Sequence, residues 1–437
     1  MPARRNVSRR TFVQGGIAAT AGLSLAAAGG RSFSARAQDG GKISFMNWDA
    51  IEGTPLEAAI TMFQEQTGIE VEVQAVPSGD EYETKMRTLL ASGSPPDVMC
   101  INDDYVRGYS LGGQLLDLNP LIQSSGLDPA SFNEHPFNFP VQPDGQHAAW
   151  SIATQPSVIF YNVNQFQETG VALPPGTWTG ENWTWDTFLE TAKALTIEDE
   201  RWGALIYKDT SCETIYTVNN GEPTGIYSVD GTQFTLANPK AIEGMQWVAD
   251  LTCVHGVQPP WGNLSQDNAQ NQHFVSGKVS MLSSTYGFTA YANQNVKDFV
   301  WDIAPPPAGP AGQTTIATLV VYCIPKDAKN QDEAWQLLSF LGGPDAGKIF
   351  ADTGTFIPVN KEASALLVPV EGQAPAHLGL VLEATQNATN ENFSEHIQRA
   401  RQVYRPELDL LYTCQQSAEE VLTGVKERVE QALAGEL

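Results

Sequence analysis

Between residues 43 and 101 the chain switches back and forth between two hydrophobic periods, and that alternation restricts its fold more than any other feature of its 437 residues. Residues 43–48 are apolar and aromatic enough for a buried strand. Leu56, Ala59, Ile60 and Phe63 then recur at i, i+3, i+4 and i+7, the face of a helix that Gly68 stops. Ile69, Val71 and Val73 alternate with Glu70, Glu72 and Gln74, the period of a half-exposed strand. Tyr82, Met86, Leu89 and Leu90 make the next helical stripe, Pro95-Pro96 ends it, and residues 97–101 supply a third strand. Strand, helix, strand, helix, strand predicts an open α/β sheet with crossover helices, in which ligands collect at the carboxyl ends of strands. Two such ends are Trp48-Asp49 and Asn102-Asp103-Asp104-Tyr105.

The pattern restarts between residues 155 and 260, with an apolar strand at 158–161, a Trp-rich turn at 178–185, a helix from Asp186 and another at 241–252. A second α/β unit is the economical reading, and the length of the chain calls for two or three compact units. Ala334, Leu337, Leu338 and Leu341 share one helix face, as do Ala418, Val421, Leu422, Val425, Ala432 and Leu433 near the C-terminus. The Pro305–Pro310 run, flanked by apolar strand candidates, reads as a rigid loop inside a unit.

Charge narrows the possible partners. The chain carries 25 basic and 50 acidic residues, and six of the basic ones (Arg4, Arg5, Arg9, Arg10, Arg31, Arg36) lie in the first 37 positions, which hold no Asp or Glu. Without that segment, 19 basic residues face 50 acidic ones. Such a field repels phosphate backbones and anionic lipid surfaces, so no nucleic-acid partner is expected. Ser8-Arg9-Arg10-Thr11-Phe12-Val13, the Gly/Ala-rich run 15–30 and Ala35-Arg36-Ala37 together read as a twin-arginine export signal over residues 1–37. The mature chain would begin at Gln38, and no cysteine near that point encodes a lipid anchor. The protein is expected to be exported to the periplasm or beyond.

Several motifs tempt but lack their context. Gly342-Gly343-Pro344-Asp345-Ala346-Gly347-Lys348 imitates a phosphate-binding loop, but Ile349 replaces the magnesium-holding hydroxyl and a helix precedes the segment where a strand is required. Gly108-Tyr109-Ser110-Leu111-Gly112 matches a nucleophile elbow, so a serine hydrolase built on Ser110 is the rival enzymatic reading; yet no strand runs directly into Ser110. Asp103 and Asp104 are adjacent, which does not give the facing geometry of a glycoside hydrolase. The six histidines lack metal spacing, and neither a metal nor a cofactor is expected. Cys100, Cys212, Cys253, Cys323 and Cys414 contain no C-x-x-C; bridges and buried free thiols both remain open.

Collinear segments carry a resemblance. Gly93-Ser94-Pro95-Pro96-Asp97-Val98, Tyr109 with Gly113 before Leu115-Leu116-Asp117-Leu118, Val158-Ile159-Phe160-Tyr161-Asn162 and Thr184-Trp185-Asp186-Thr187-Phe188 come first. Phe274-Val275-Ser276-Gly277-Lys278-Val279-Ser280-Met281, Ile324-Pro325-Lys326 with Ala334-Trp335, and Gly354-Thr355-Phe356-Ile357-Pro358 follow. In this order, over residues 42–437, they resemble the solute-binding proteins of ABC sugar importers, the family that includes maltose-binding protein. The resemblance implies a two-lobe α/β fold with an interlobe cleft and hinge crossovers, with lobe one at 42–154 plus 319–357 and lobe two at 155–318 plus 358–437. It implies a monomeric, non-enzymatic receptor that hands a sugar or oligosaccharide to an ABC-transporter permease; a same-fold receptor for a non-sugar solute is the alternative. Position by position, it implies ligand contacts at Trp48, Asp49, Asn102, Asp103, Asp104, Tyr105, Gln155, Tyr286 and Phe288, with Tyr82 and Tyr404 completing the set. Tyr286 and Phe288 stand where relatives usually place a tryptophan platform. Aromatic rings and carboxylates suit sugars, which offer an apolar C–H face and a rim of hydroxyls.

Overall fold

The computed structural model describes residues 41–437 apart from 49, 78–79, 179–181, 207–209, 265–267, 355, 390, 393 and 395. The twin-arginine segment and Asp49 thus lie outside the described residues. Strand β1 (Lys42–Trp48) pairs in parallel with β2 (Glu70–Val76) and β3 (Val98–Ile101). The connecting helix Pro55–Thr67 buries Leu56, Ala59, Ile60 and Phe63, the face its spacing predicts. Thr54 caps its first turn through the Glu57 amide, and Gly68, at φ 74°, closes it with a left-handed turn that a side chain would resist. The helix Asp80–Ala91 makes the second crossover.

Two long strands carry the sheet onward. β4 (Trp150–Asn162) pairs antiparallel along residues 150–156, and β5 (Leu205–Ile206), β6 (Met281–Thr285) and β7 (Trp301–Ala304) extend the sheet beyond it. The partner of β4 in that first stretch is β8 (Thr315–Cys323), which also runs antiparallel to β3. Residues 157–162 of β4 turn instead to β6 and β7. Two short strands, β9 (Ile357–Pro358) and β10 (Ala388–Thr389), attach to β4 and β8. The sheet is therefore mixed, with its parallel part at the start of the chain.

The apolar core is interrupted along these two strands. Trp150, Ile152 and Ala153 of β4 and Leu319, Val321 and Tyr322 of β8 belong to one core with Phe45, Phe63, Val98 and Leu337. Beyond the interruption, Ile159 and Tyr161 enter a second core while Val158 and Phe160 enter a third, because successive side chains of a strand point to opposite faces. Between them β4 carries Thr154, Gln155, Pro156 and Ser157, and β8 carries Ala317 and Thr318 at the same level, with Gln155 opposite Thr318. At this polar waist the apolar core is interrupted.

Candidate functional site

The β3 strand ends in a single 3-10 turn, Asp103–Tyr105, which leads into the helix Val106–Leu111. Asn102 precedes the turn and its carbonyl accepts from the Tyr105 amide at 2.9 Å. Asp103 Oδ2 accepts from the Leu319 amide at 3.3 Å, which ties the turn to β8 just past the waist. The Tyr105 hydroxyl donates to Glu83, and its ring meets Tyr109 edge-on at 6.4 Å. Burial pushes the Tyr109 phenol up to about 12, with Glu83 adding to the rise and Arg87 opposing it.

Two adjoining cavities are lined by segments far apart in the chain. The smaller, of about 270 Å³, is lined by Asp103, Val106, Arg107 and residues 139 and 141–143, and by Glu391 and Asn392. The larger, of about 510 Å³, shares Arg107 and Pro143 with it and is lined further by Ser228, Val229, Asp230 and Gln233. The turn that supplies the last four is tightly built: Asp230 Oδ1 accepts from the Ser228 hydroxyl at 2.6 Å and the Thr232 amide at 3.1 Å. Hydrogen bonds from Ser228 and Thr232 hold the Asp230 carboxyl below the usual range. Val229 is 71 % exposed at its tip. A third cavity is lined by residues 113, 115–117, 119, 144–146 and 326.

Of the residues expected from sequence, Asp103 lines the smaller cavity. Trp48 ends β1 half-buried and edge-on to Tyr82 at 5.8 Å. Tyr82 is buried beneath it, its hydroxyl donating to the Cys100 carbonyl at 2.6 Å as a brace to the adjacent strand. The backbone of Asp104 lies in the 3-10 turn, while its side chain lies outside the described residues. Gln155 sits at the waist, and its side-chain amide packs on Gly287 so closely that an added Cβ there would fall 2.8 Å from Oε1. Tyr286 meets the same level: its amide donates to the Pro156 carbonyl and its hydroxyl to that of Gly354, both at 2.9 Å, with the ring buried. Phe288 packs in the third core against Phe160 at 4.9 Å. Tyr404 is fully buried in the second core, its hydroxyl 2.7 Å from Glu213. The structure thus gathers the first-lobe candidates near the β1 and β3 ends, places Gln155 and Tyr286 together at the waist, and puts Phe288 and Tyr404 in packed interiors.

Arg107, Glu391, Asn392 and the turn at residues 228–233 escaped the sequence reading. The Asp230-Gly231 pair was the readable signal of a tight turn. Nothing in the polar run around Glu391 marks it.

The enzymatic motifs take different forms here. Ser110 lies inside the helix Val106–Leu111, is buried, and donates its hydroxyl to Gln146 Oε1 at 2.8 Å. Gly342 caps the helix Gln331–Leu341 and Gly343 opens the next one, so a helix precedes the glycine-rich segment and its backbone serves to cap. No cluster of metal-ligating side chains occurs among the described residues, and no described helix is long and apolar enough to cross a membrane.

The sequence profile of the bacterial extracellular solute-binding proteins matches residues 47–348. An erythritol/L-threitol-binding protein of Mycolicibacterium smegmatis is 26% identical over 406 residues, covering 80% of this chain and 81% of its own length. An ABC substrate-binding protein of Listeria monocytogenes, solved in complex with cycloalternan, superposes with a TM-score of 0.79 at 21% identity, covering 91% of this chain and all of that one. A Thermotoga lettingae ABC-transporter solute-binding protein bound with α-D-tagatose gives 0.74 at 17% identity, covering 90% and 100%.

Proposed function

This chain belongs to the bacterial extracellular solute-binding protein family, and from that premise we propose that it is an exported receptor that captures a sugar or related polyol between its lobes and delivers it to an ABC-transporter permease. The observation that carries the reading is the pair of adjoining cavities walled by both lobes at the carboxyl end of β3. Similar proteins whose ligands are an alditol, a ketohexose and a cyclic oligosaccharide support the chemical class.

In this reading residues 1–37 are removed after twin-arginine export, and the mature chain acts as a monomer without a lipid anchor. The first lobe is residues 42–154 plus 319–357 and the second 155–318 plus 358–437; the break in the apolar core at Gln155 and Thr318 supports that division. Trp48, Asp49, Asn102, Asp103, Asp104 and Tyr105 contact ligand from the first lobe and Gln155 from the waist. The buried positions of Tyr82, Tyr286, Phe288 and Tyr404 suit them to shape the walls from behind. Capture without turnover follows from the same picture, and the buried, hydrogen-bonded Ser110 supports it.

The test is a thermal-shift screen of the mature protein against neutral sugars and alditols. A ligand at ~100 times its Kd stabilises by ~2.7 kcal/mol, which for a chain of this size raises Tm by about 3 °C. Chromatography should then return the ligand unchanged. Consumption of the ligand that vanishes in Ser110→Ala would favour the hydrolase instead.

A further inference from the structure

Behind the Glu391 wall of the smaller cavity lie two buried carboxylates, Glu391 and Glu213, each beside a partly exposed arginine. Glu391 lines the cavity and is 8 % exposed. Arg401 Nη2 donates to its Oε1 at 3.1 Å. On the same face of the helix Ile397–Tyr404, Tyr404 donates to the fully buried Glu213 at 2.7 Å, and Arg405 Nη2 stands 4.0 Å from that carboxylate. Asn392, next to Glu391, donates from Nδ2 to the Thr224 and Tyr227 carbonyls, each at 3.1 Å, which fixes the loop against the second core. Burying ions is costlier than burying an apolar pair of the same size. A carboxylate placed this way, held by its own guanidinium at the edge of a cavity, suits a site where its acceptor oxygens are used. Across the cavity, Asp103 presents a second carboxylate anchored by the Leu319 amide.

We propose that Glu391 is a specificity-determining ligand contact of the second lobe and Arg401 its positioning residue, with Glu391 and Asp103 accepting hydroxyl protons of one neutral polyol or monosaccharide from opposite walls. The inference rests on the receptor reading above and names the contact that joins the lobes through the ligand. An ionised carboxylate only accepts. A ligand must therefore bring O–H donors to both walls, and a diol does so with short charge-assisted bonds. A phosphate or carboxylate on the ligand would set acceptor against acceptor. Arg107 lines both cavities beside these carboxylates. The volume of about 270 Å³ is at the small end for such sites and suits one small sugar unit.

The experiment is calorimetric titration of the mature protein with erythritol, D-glucose, D-tagatose and maltose, beside glucose 6-phosphate and glucuronate, repeated on Glu391→Gln, Arg401→Gln and Arg401→Lys. Melting of each unliganded variant is followed in parallel. We expect a neutral probe to bind and the anionic ones to fail. Glu391→Gln should lose at least tenfold in affinity for the neutral probe and narrow the preference over the anionic ones. Arg401→Gln should do the same and Arg401→Lys should recover part of it. That change of preference is a readout that loss of packing alone would not produce. Should Glu391→Gln fail to fold, Asp103→Asn reads the same selectivity from the opposite wall. A folded Glu391→Gln that binds like the parent protein, or an unmodified protein that takes glucose 6-phosphate as readily as D-glucose, overturns the inference and leaves the receptor standing. Failure of every neutral probe with the unmodified protein overturns both.

Discussion

Asp97 shows what one carboxylate in a family-like motif can be for. Its Oδ2 accepts from the Ser44 amide and hydroxyl, both at 2.9 Å, and its Oδ1 from the Asn330 amide at 3.0 Å. It staples the first strand to the start of the helix Gln331–Leu341 and lines neither of the two adjoining cavities. Burial alone would raise its pKa, but the donors from Ser44 and Asn330 together outweigh burial and hold it below the usual range. Asp97→Ala leaves those buried donors unmet, so it should cost about 3 kcal/mol of stability while ligand affinity stays within a few-fold; urea unfolding and titration check the two halves. His147 makes the opposite case. It is 2 % exposed between Phe137 and Trp150. Burial pushes its pKa down to about 4, with Asp117 resisting. The unfolded chain binds that proton near pH ~6.5, so in the window between about 6.5 and 4 the unfolded state holds more protons than the folded one and stability falls as pH falls. The contribution is complete above the unfolded value and shrinks by about 3 kcal/mol across the window. His147→Phe should flatten that part of the urea-midpoint profile; an unchanged slope would assign it to other groups.

At the scale of elements, periodicity explains both what the sequence revealed and what it hid. The helix Pro55–Thr67 was readable because four apolar residues, a capping threonine and a terminal glycine are local and agree. β4 was readable only in its second half, since Thr154, Gln155 and Pro156 interrupt the apolar run that a strand detector follows, although the ladder with β8 continues through them. The first-lobe edge of the site came from local strand ends. The second-lobe wall comes from two loops more than 150 positions apart, residues 228–233 and 391–392, and neither has a period to follow. Cysteine pairing was hidden for the same reason. The bridge joins Cys253, at the end of the helix Pro239–Cys253, to Cys414 across 161 positions, and only the packing of the C-terminal helices brings them together. Cys100, Cys212 and Cys323 are buried outside the bridge, and burial pushes the Cys323 thiol up to about 12. Closing so long a loop constrains the unfolded chain, and Cys253→Ser should lower stability by ~2–4 kcal/mol. Dithiothreitol should lower the Tm of the parent protein toward that of the variant and leave the variant unmoved; a parent protein indifferent to reductant would mean the bridge contributes nothing.

For the whole molecule the decisive arrangement is that β4 and β8 run side by side through the level of Gln155 and Thr318, so the parts of the fold on either side of it are joined by paired strands. Paired strands resist stretching and shear along their ladder but bend and twist where the apolar cladding stops, and it stops at Gln155 and Thr318. Tyr286 reinforces that level by donating to Pro156 and to Gly354, thereby tying β4 to the chain segment that leads into β9. In the receptor proposed above, motion about this level would be concentrated in a few residues and leave the three apolar cores intact. If the proposed ligand is held by Asp103 on one side and Glu391 on the other, its binding energy biases the molecule toward the form in which both walls meet it. Small-angle scattering should therefore give a radius of gyration near ~21 Å for the unliganded mature chain, falling when a saturating neutral sugar is added. Glu391→Gln should need more ligand to reach the same closed value, because it weakens the contact that spans the gap. A scattering curve unchanged at full occupancy would mean that one lobe holds the ligand alone and that the waist is a rigid strut.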